Sequence, residues 1–346
     1  MNSVQVVGTH NSYHREMSKA EKSVFQQVKE DPTNYLYSHA ALPDQFEYQS
    51  VRSLELDVYP DSQGGLYSTP LIRRMAGLSY PGDPSMNQSG VKVFHVADAD
   101  VRSTCYTLIE CLTQVRSWSQ GNPGHVPIPI MLEFKSSEEQ IEELGGVVSE
   151  PWETDALDGI DGEIRSVFEP EELITPDDLR RPDMSLEESV LEFGWPALRE
   201  ARGKVFFLMD NNPTNGSVRD FYRADGRESL QGRVIFTNSN PGEPDAAFLK
   251  RNDPLGDNLA LIQSLVAQGY WVRTRADEPV EMVQKGNTAM RDAAFQSGAQ
   301  IVSTDFPAVG LAARWDSNYV AMLSGAMVAR CNPINAPSYC RDRTLE

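Results

Sequence analysis

Short runs dense in Val, Ile, Leu and Phe recur along the chain, separated by longer and more polar stretches. Eight of these runs are predicted as strands: 4–9, 51–59, 91–96, 128–135, 204–210, 233–238, 270–276 and 300–305. Most are continuously apolar rather than alternating, as expected of strands buried on both faces of a parallel sheet. The intervals carry helix signals over 18–29, 137–144, 258–268 and 287–296. Ser137 is read as the cap of the second helix, followed by the acidic first turn Glu138, Glu139 and Glu142 that suits the positive end of a helix dipole. Gly145, Gly269 and Gly298 are placed as stops, because glycine tolerates the left-handed backbone past a last turn. Alternating β and α units predict a parallel sheet with right-handed crossovers, and eight units predict closure. The fold expected is α/β, a (β/α)8 TIM-type barrel. An open doubly wound sheet is the rival, but no Gly-x-Gly-x-x-Gly follows the first run to support its dinucleotide-binding form.

The whole chain, 1–346, is read as one domain, with an acidic helical insertion at about 136–203 and a disulfide-bearing tail at about 315–346. Fifty acidic against 31 basic side chains give a net charge of −19. That excess argues against a nucleic-acid binder and against tight electrostatic docking on an anionic membrane. No run approaches the roughly 20 apolar residues of a bilayer span. Cys331 and Cys340 flank the turn-rich segment 332–337 and are expected to pair; Cys105 and Cys111 can pair only if the chain bends between them. Two local disulfides would indicate an oxidising compartment. The protein is therefore expected to be secreted, with any leader outside this sequence, and monomeric.

In a barrel the C-terminal ends of the strands meet around one mouth, where chemistry sits. The predicted strands carry ionisable or polar groups at those ends: His10 and Asn11, Glu55 and Asp57, His95, Glu133 and Lys135, Asp210, Arg273 and Arg275, then Asp305. Buried charges are costly unless paired or bound to a metal. Glu55 and Asp57 are two apart on a strand and face the same way, so their repulsion calls for a cation between them. Asn11 and Glu133 add oxygen donors from neighbouring strands. Four oxygens without a thiol suit a hard cation, Ca²⁺ or, as the lesser alternative, Mg²⁺. His10 and His95 supply two imidazoles that titrate near neutral pH, one to take a proton and one to give it. His14, His39 and His125 are read as structural or surface residues. No Gly-x-Ser-x-Gly, phosphate loop or His-Glu-x-x-His is present.

The segments Gly-Thr-His-Asn-Ser-Tyr (8–13), Glu-Leu-Asp (55–57), Phe-His (94–95) and Leu-Glu-Phe-Lys (132–135) together resemble the catalytic X region of phosphoinositide-specific phospholipase C. The likeness is closest to the single-domain, secreted, calcium-dependent microbial branch. It extends to Ile-Thr-Pro-Asp-Asp (174–178), Ala-Arg-Gly-Lys (201–204) and Ala-Arg-Cys-Asn-Pro (329–333). The resemblance implies a distorted (β/α)8 barrel, His10 and His95 as catalytic histidines, and Asn11, Glu55, Asp57 and Glu133 as Ca²⁺ ligands. Lys135, Arg273, Arg275 and Asp210 are assigned to the substrate side. The implied reaction is internal attack by an inositol hydroxyl on the neighbouring phosphodiester, giving diacylglycerol and a cyclic inositol phosphate. His10 is placed on the attacking side and His95 on the leaving side. The implied partner is a phospholipid or other inositol phosphodiester, met in transient contact with a membrane surface. The competing readings are a glycerophosphodiester phosphodiesterase or phospholipase D-like barrel, whose first motif reads His-Arg-Gly rather than His-Asn-Ser, and an inactive barrel retained for binding.

Overall fold

The structure, a computed structural model, describes residues 1–29, 31–79 and 83–346. Among the described residues there are ten strands: β1 (Val4–Thr9), β2 (Val51–Tyr59), β3 (Lys92–Val93), β4 (Ile128–Phe134), β5 (Val205–Met209), β6 (Ile235–Phe236), β7 (Phe248–Lys250), β8 (Trp271–Arg275), β9 (Ile301–Thr304) and β10 (Arg330–Cys331). Eight of them run parallel in the order β6-β5-β4-β2-β1-β9-β8-β7. A single parallel bridge, Asn238 to Phe248, joins the two ends of that order. The result is a distorted, nearly closed (β/α)8 barrel.

One predicted strand and one missed strand exchange places in this ring. Of the apolar run 91–96 only Lys92–Val93 is extended, and it pairs antiparallel to β2 outside the parallel set. The chain then turns, with Val96 bridged to Asp100. Phe94 stacks on Tyr59 at 4.5 Å between ring centroids instead of continuing a strand. The eighth member is β7, whose three residues are too few to give a period. β10, also unpredicted, pairs antiparallel with β1.

The helix over 258–268 keeps its predicted bounds, and the other three shift at their ends. Ser18 caps a helix over Lys19–Phe25, with its hydroxyl accepting from the Glu21 amide. The helix expected over 137–144 is a short turn, Glu139–Glu143, and Ser137 does not cap it; its hydroxyl turns instead to Glu142 and Ser149. The helices Asn258–Gln268 and Ala289–Ser297 end on Gly269 and Gly298 in the left-handed region, as their sequences require. Both disulfides form, Cys105–Cys111 and Cys331–Cys340. The first is allowed because Cys105 lies before the Thr107 cap while Cys111 is inside the helix Leu108–Gly121, so the chain bends between them. Among the described residues no helix is long and apolar enough to cross a membrane.

Along β2 the alternate residues divide the two faces. Leu54, Leu56 and Val58 join Ile128, Ile130, Leu132 and Val205 in the apolar cluster between the sheet and its helices. Ser53, Glu55 and Asp57 are thereby left facing the lumen. Arg273 of β8 reaches Glu55 of β2 at 2.5 Å, although β1 and β9 stand between those strands, so this pair crosses the barrel interior. Small residues on the wall keep the strands close here. A Cβ on Gly8 would lie 2.8 Å from the Cβ of Ser53 and 3.1 Å from Cγ2 of Ile301, neither of them the free end of a flexible chain. Gly8→Ala is therefore expected to destabilise the fold by about 1–3 kcal/mol, the usual cost of overpacking. Urea unfolding checks this, with a lower midpoint at an unchanged slope.

Candidate active site

The segment after β1 is fixed by its own side chains. Thr9 donates to Gln45 at 2.7 Å, and Gln45 in turn donates to the Ser12 carbonyl at 2.7 Å. Ser12 accepts the Glu55 amide at its hydroxyl and gives its own amide to the Glu55 carbonyl, both at 2.8 Å. His39 donates to the His10 carbonyl at 2.8 Å. The Thr and Ser of the first motif thus tie the turn to β2, leaving the intervening His10 and Asn11 available for other work. Asn11 has φ +43°, a left-handed conformation that asparagine accepts more readily than most residues.

A cavity of about 280 Å³ opens at this end of the barrel, lined by His10, Glu55, His95, Glu133, Asp210, Arg273, Arg275 and Asp305 among others. His10 bonds Asp305 through Nδ1 at 2.9 Å, and its Nε2 lies 3.9 Å from Glu55. His95 bonds Asp100 through Nδ1 at 2.9 Å. It sits on the irregular turn after β3, not at the end of a parallel strand as its sequence position implied. Carboxylate oxygens of Glu55, Glu133 and Asp210 lie within 4.8 Å of one another. Asp57 is beside Glu133 in the β2–β4 register and is fully buried. Lys135, just past β4, reaches Glu133 at 3.2 Å and Asp57 at 3.5 Å.

The two arginines expected on the substrate side line the cavity but are already engaged. Arg273 holds Glu55, Asn252 and Ser303, and Arg275 holds Asp305 at 3.0 Å and Asp277 at 3.3 Å. Asp210, also expected on that side, stands in the acidic group with one oxygen 2.5 Å from Lys250.

Burial dominates the protonation of this site. It pushes Glu55 up to about 7, with Arg273 opposing and the Asp210 charge adding to the rise. It holds Asp57 well above the usual carboxylate range, against the pull of Lys135. Burial, then the Arg275 and Arg273 charges, push His10 well below its ordinary value. His95 is lowered by burial, with Asp100 opposing.

The donors fit a hard cation. Both side-chain atoms of Asn11 and both carboxylate oxygens of Asp57 are buried without a hydrogen-bond partner among the described residues, a rare condition in folded proteins. Together with Glu55 and Glu133 they offer oxygen ligands and no sulfur, the chemistry of a Ca²⁺ site.

Residues 1–333 match the family model for Ca²⁺-dependent phosphoinositide phospholipase C. The chain belongs to this family. Its fold is similar to that of the calcium-dependent phosphoinositol-specific phospholipase C of a Pseudomonas species, with a TM-score of 0.55 at 18% identity over 95% of this chain and 94% of that one. It is also similar to the Ca²⁺-dependent phosphatidylinositol-specific phospholipase C of Streptomyces antibioticus, with a TM-score of 0.56 at 17% identity over 88% and 94% of the two chains. No curated protein sequence matches the chain. Sequence reasoning passed over Asp100 and read His14 as a structural or surface residue, and both stand behind His95. It noted Asp305 without giving it a role, and that residue stands behind His10. Their one available signal was a carboxylate a few residues after His95 and another at the end of the last strand.

Proposed function

We propose that this phospholipase C cleaves phosphatidylinositol by internal attack of the ring hydroxyl next to the phosphodiester. The products would be diacylglycerol and a cyclic inositol phosphate. The observation supporting this most directly is that His10 and His95, each tied through Nδ1 to a carboxylate, line one cavity together with Glu55, Glu133 and Asp210. Asn11, Glu55, Asp57 and Glu133 would hold Ca²⁺, which when bound supplies Lewis acidity, lowering the pKa of the attacking hydroxyl and offsetting charge on the phosphate. His10, kept neutral by burial and the facing arginines, takes the hydroxyl proton at Nε2. The hydroxyl oxygen forms the new bond to phosphorus, the bond from phosphorus to the glycerol oxygen breaks, and His95 protonates that oxygen from its Nε2. Lys135 neutralises the acidic strand pair Asp57 and Glu133 from the side.

The headgroup favoured is unphosphorylated inositol. Six carboxylates line the cavity against two arginines, and both arginines are committed to carboxylates, so further phosphates on the ring would meet net negative charge. The two disulfides support action in an oxidising, extracellular setting. Phosphorus NMR of the products from phosphatidylinositol with Ca²⁺, with Mg²⁺ and with chelator tests the whole reading. A cyclic phosphodiester signal that appears only with Ca²⁺ is expected. Release of phosphatidic acid or of glycerophosphate, or turnover unaffected by chelator, would overturn it.

A further inference from the structure

We propose that Glu278, at the rim of the cavity, is a specificity-determining residue that turns away inositol headgroups bearing a further phosphate. The substrate class rests on the phosphodiesterase reading above; the charge at the mouth rests on the placement of the side chain.

Of the carboxylates that line the cavity, all but one are answered by a cation. Glu55, Glu133, Asp210, Asp277 and Asp305 each have an arginine or lysine nitrogen within 3.3 Å. Glu278 lines the same cavity, is exposed, and makes no ion pair and no side-chain hydrogen bond among the described residues. The segment that carries it is held on both sides. Before it, the buried Asp277 carboxylate accepts the Asp305 amide at 3.1 Å and the Thr304 hydroxyl. After it, Val280 is buried in one apolar cluster with Tyr37 and Ala276, and its amide reaches the Asn34 side-chain oxygen at 3.4 Å. The Glu278 amide itself points to the Met290 sulfur at 3.4 Å. An anchored backbone therefore keeps this free carboxylate at the mouth. Its charge is felt inside the cavity: burial would lower Arg275, but Asp305, Asp277 and then Glu278 raise it.

A carboxylate that pairs with nothing acts through its field alone. A phosphate monoester on the ring carries about −1.5 to −2 charge at pH 7, in addition to the single charge of the phosphodiester that every such headgroup brings. The repulsion at the rim therefore weighs more on a phosphorylated ring than on plain inositol. Placing like charges opposite one another is a general means by which a binding site rejects the wrong partner, and it leaves the right one little affected. An exposed glutamate elsewhere on the surface is solvated and needs no role. Glu278 differs from those in facing the cavity through which the headgroup must pass.

Glu278→Gln removes the charge at nearly constant shape, and Glu278→Lys reverses it. Neither disturbs the core, since the side chain is exposed. Two readouts are taken with Ca²⁺ present. The first is kcat/KM on phosphatidylinositol and on its ring monophosphate, in mixed micelles. The second is the calorimetric Kd for soluble inositol phosphate and inositol bisphosphate. The kcat/KM of the monophosphate relative to phosphatidylinositol should rise about three- to tenfold in Glu278→Gln and about ten- to a hundredfold in Glu278→Lys, the scale of one and two unit charges acting on a phosphate near a protein surface. Relative affinity for the bisphosphate should rise in the same direction. Glu192→Gln makes the same change of net charge on the helix Leu186–Phe193. That helix lies at the other end of the barrel, where a Cβ on Gly269, just ahead of β8, would sit 3.9 Å from the Val190 carbonyl oxygen. It should leave both ratios unmoved. Ratios unchanged in both Glu278 variants, or shifted as much by Glu192→Gln, would overturn the proposal. So would a loss of activity on phosphatidylinositol in Glu278→Gln, which would make Glu278 a contact to the ring. A wild type that turns over neither lipid, while the affinity ratio still shifts, would sink the phosphodiesterase reading and leave the role of Glu278 at the mouth standing.

Discussion

Replacing His10 by alanine is expected to lower kcat on phosphatidylinositol by at least about 10²–10⁴-fold, the range for loss of a general acid or base. KM should change little, because the side chain is assigned to a proton and not to the headgroup. The fold should survive. His10 is only partly buried, and its removal leaves Asp305 still paired to Arg275 at 3.0 Å. The backbone links that shape the turn, the His39 bond to the His10 carbonyl and the His10 amide bond to Thr304, do not involve the side chain. His95→Ala should behave alike, since the two imidazoles would serve opposite ends of one displacement. For the same reason the double variant should be little worse than the poorer single one, as happens when residues act as a unit. Steady-state kinetics beside a melting curve for each variant make the check. An alanine variant at position 10 that keeps more than a tenth of the wild-type kcat would remove His10 from the proton transfer.

Asp57→Asn is expected to separate metal binding from folding, with effects of opposite sign. In the metal-free protein Asp57 is a fully buried carboxylate without a hydrogen bond among the described residues, with Lys135 opposing it at 3.5 Å. Carrying such a group inside a fold costs free energy unless it is paired or neutralised. The isosteric amide removes that cost, so the variant in chelator should melt at or above the wild type. Adding Ca²⁺ reverses the order. A ligand present at 100 times its Kd stabilises the native state by about 2.7 kcal/mol, which the wild type should display as a rise in Tm. The variant, short of one ligand, should show little or no rise, and its turnover should fall to the chelator level. Calorimetric scans with and without Ca²⁺ decide. A variant that melts lower than wild type in chelator, yet keeps the full Ca²⁺ shift, would make Asp57 a structural residue.

The strands most legible in the sequence were those with long apolar runs. β1 and β2 match their predicted bounds, and β4, β5, β8 and β9 fall within theirs, because burial on both faces leaves an unbroken signature. β7 left none: three residues, Phe248–Lys250, are extended only because Trp271–Arg275 lies alongside. The run 91–96 misled for the converse reason. Its residues are apolar because Phe94 and Val96 pack in a satellite cluster with Tyr59 and Ala97, not because they continue a strand. At the cavity, the residues whose types announce chemistry were legible as a group. Their partners were not, since Asp100 and Asp305 are ordinary aspartates until an imidazole is found 2.9 Å away.

By itself the sequence determined which segments would be buried, that they would be strands alternating with helices, and which side chains carried ionisable chemistry. These are properties of composition and local period, and they do not depend on what a residue meets. The tertiary structure alone decided which charges would face one another: Arg273 across the lumen to Glu55, Arg275 to Asp305, and His14 through Asp100 to His95. Those pairings join residues 30 to 218 positions apart, except for the short His95–Asp100 link. Electrostatic energy depends on separation in space and on burial, and neither is written in the order of the chain.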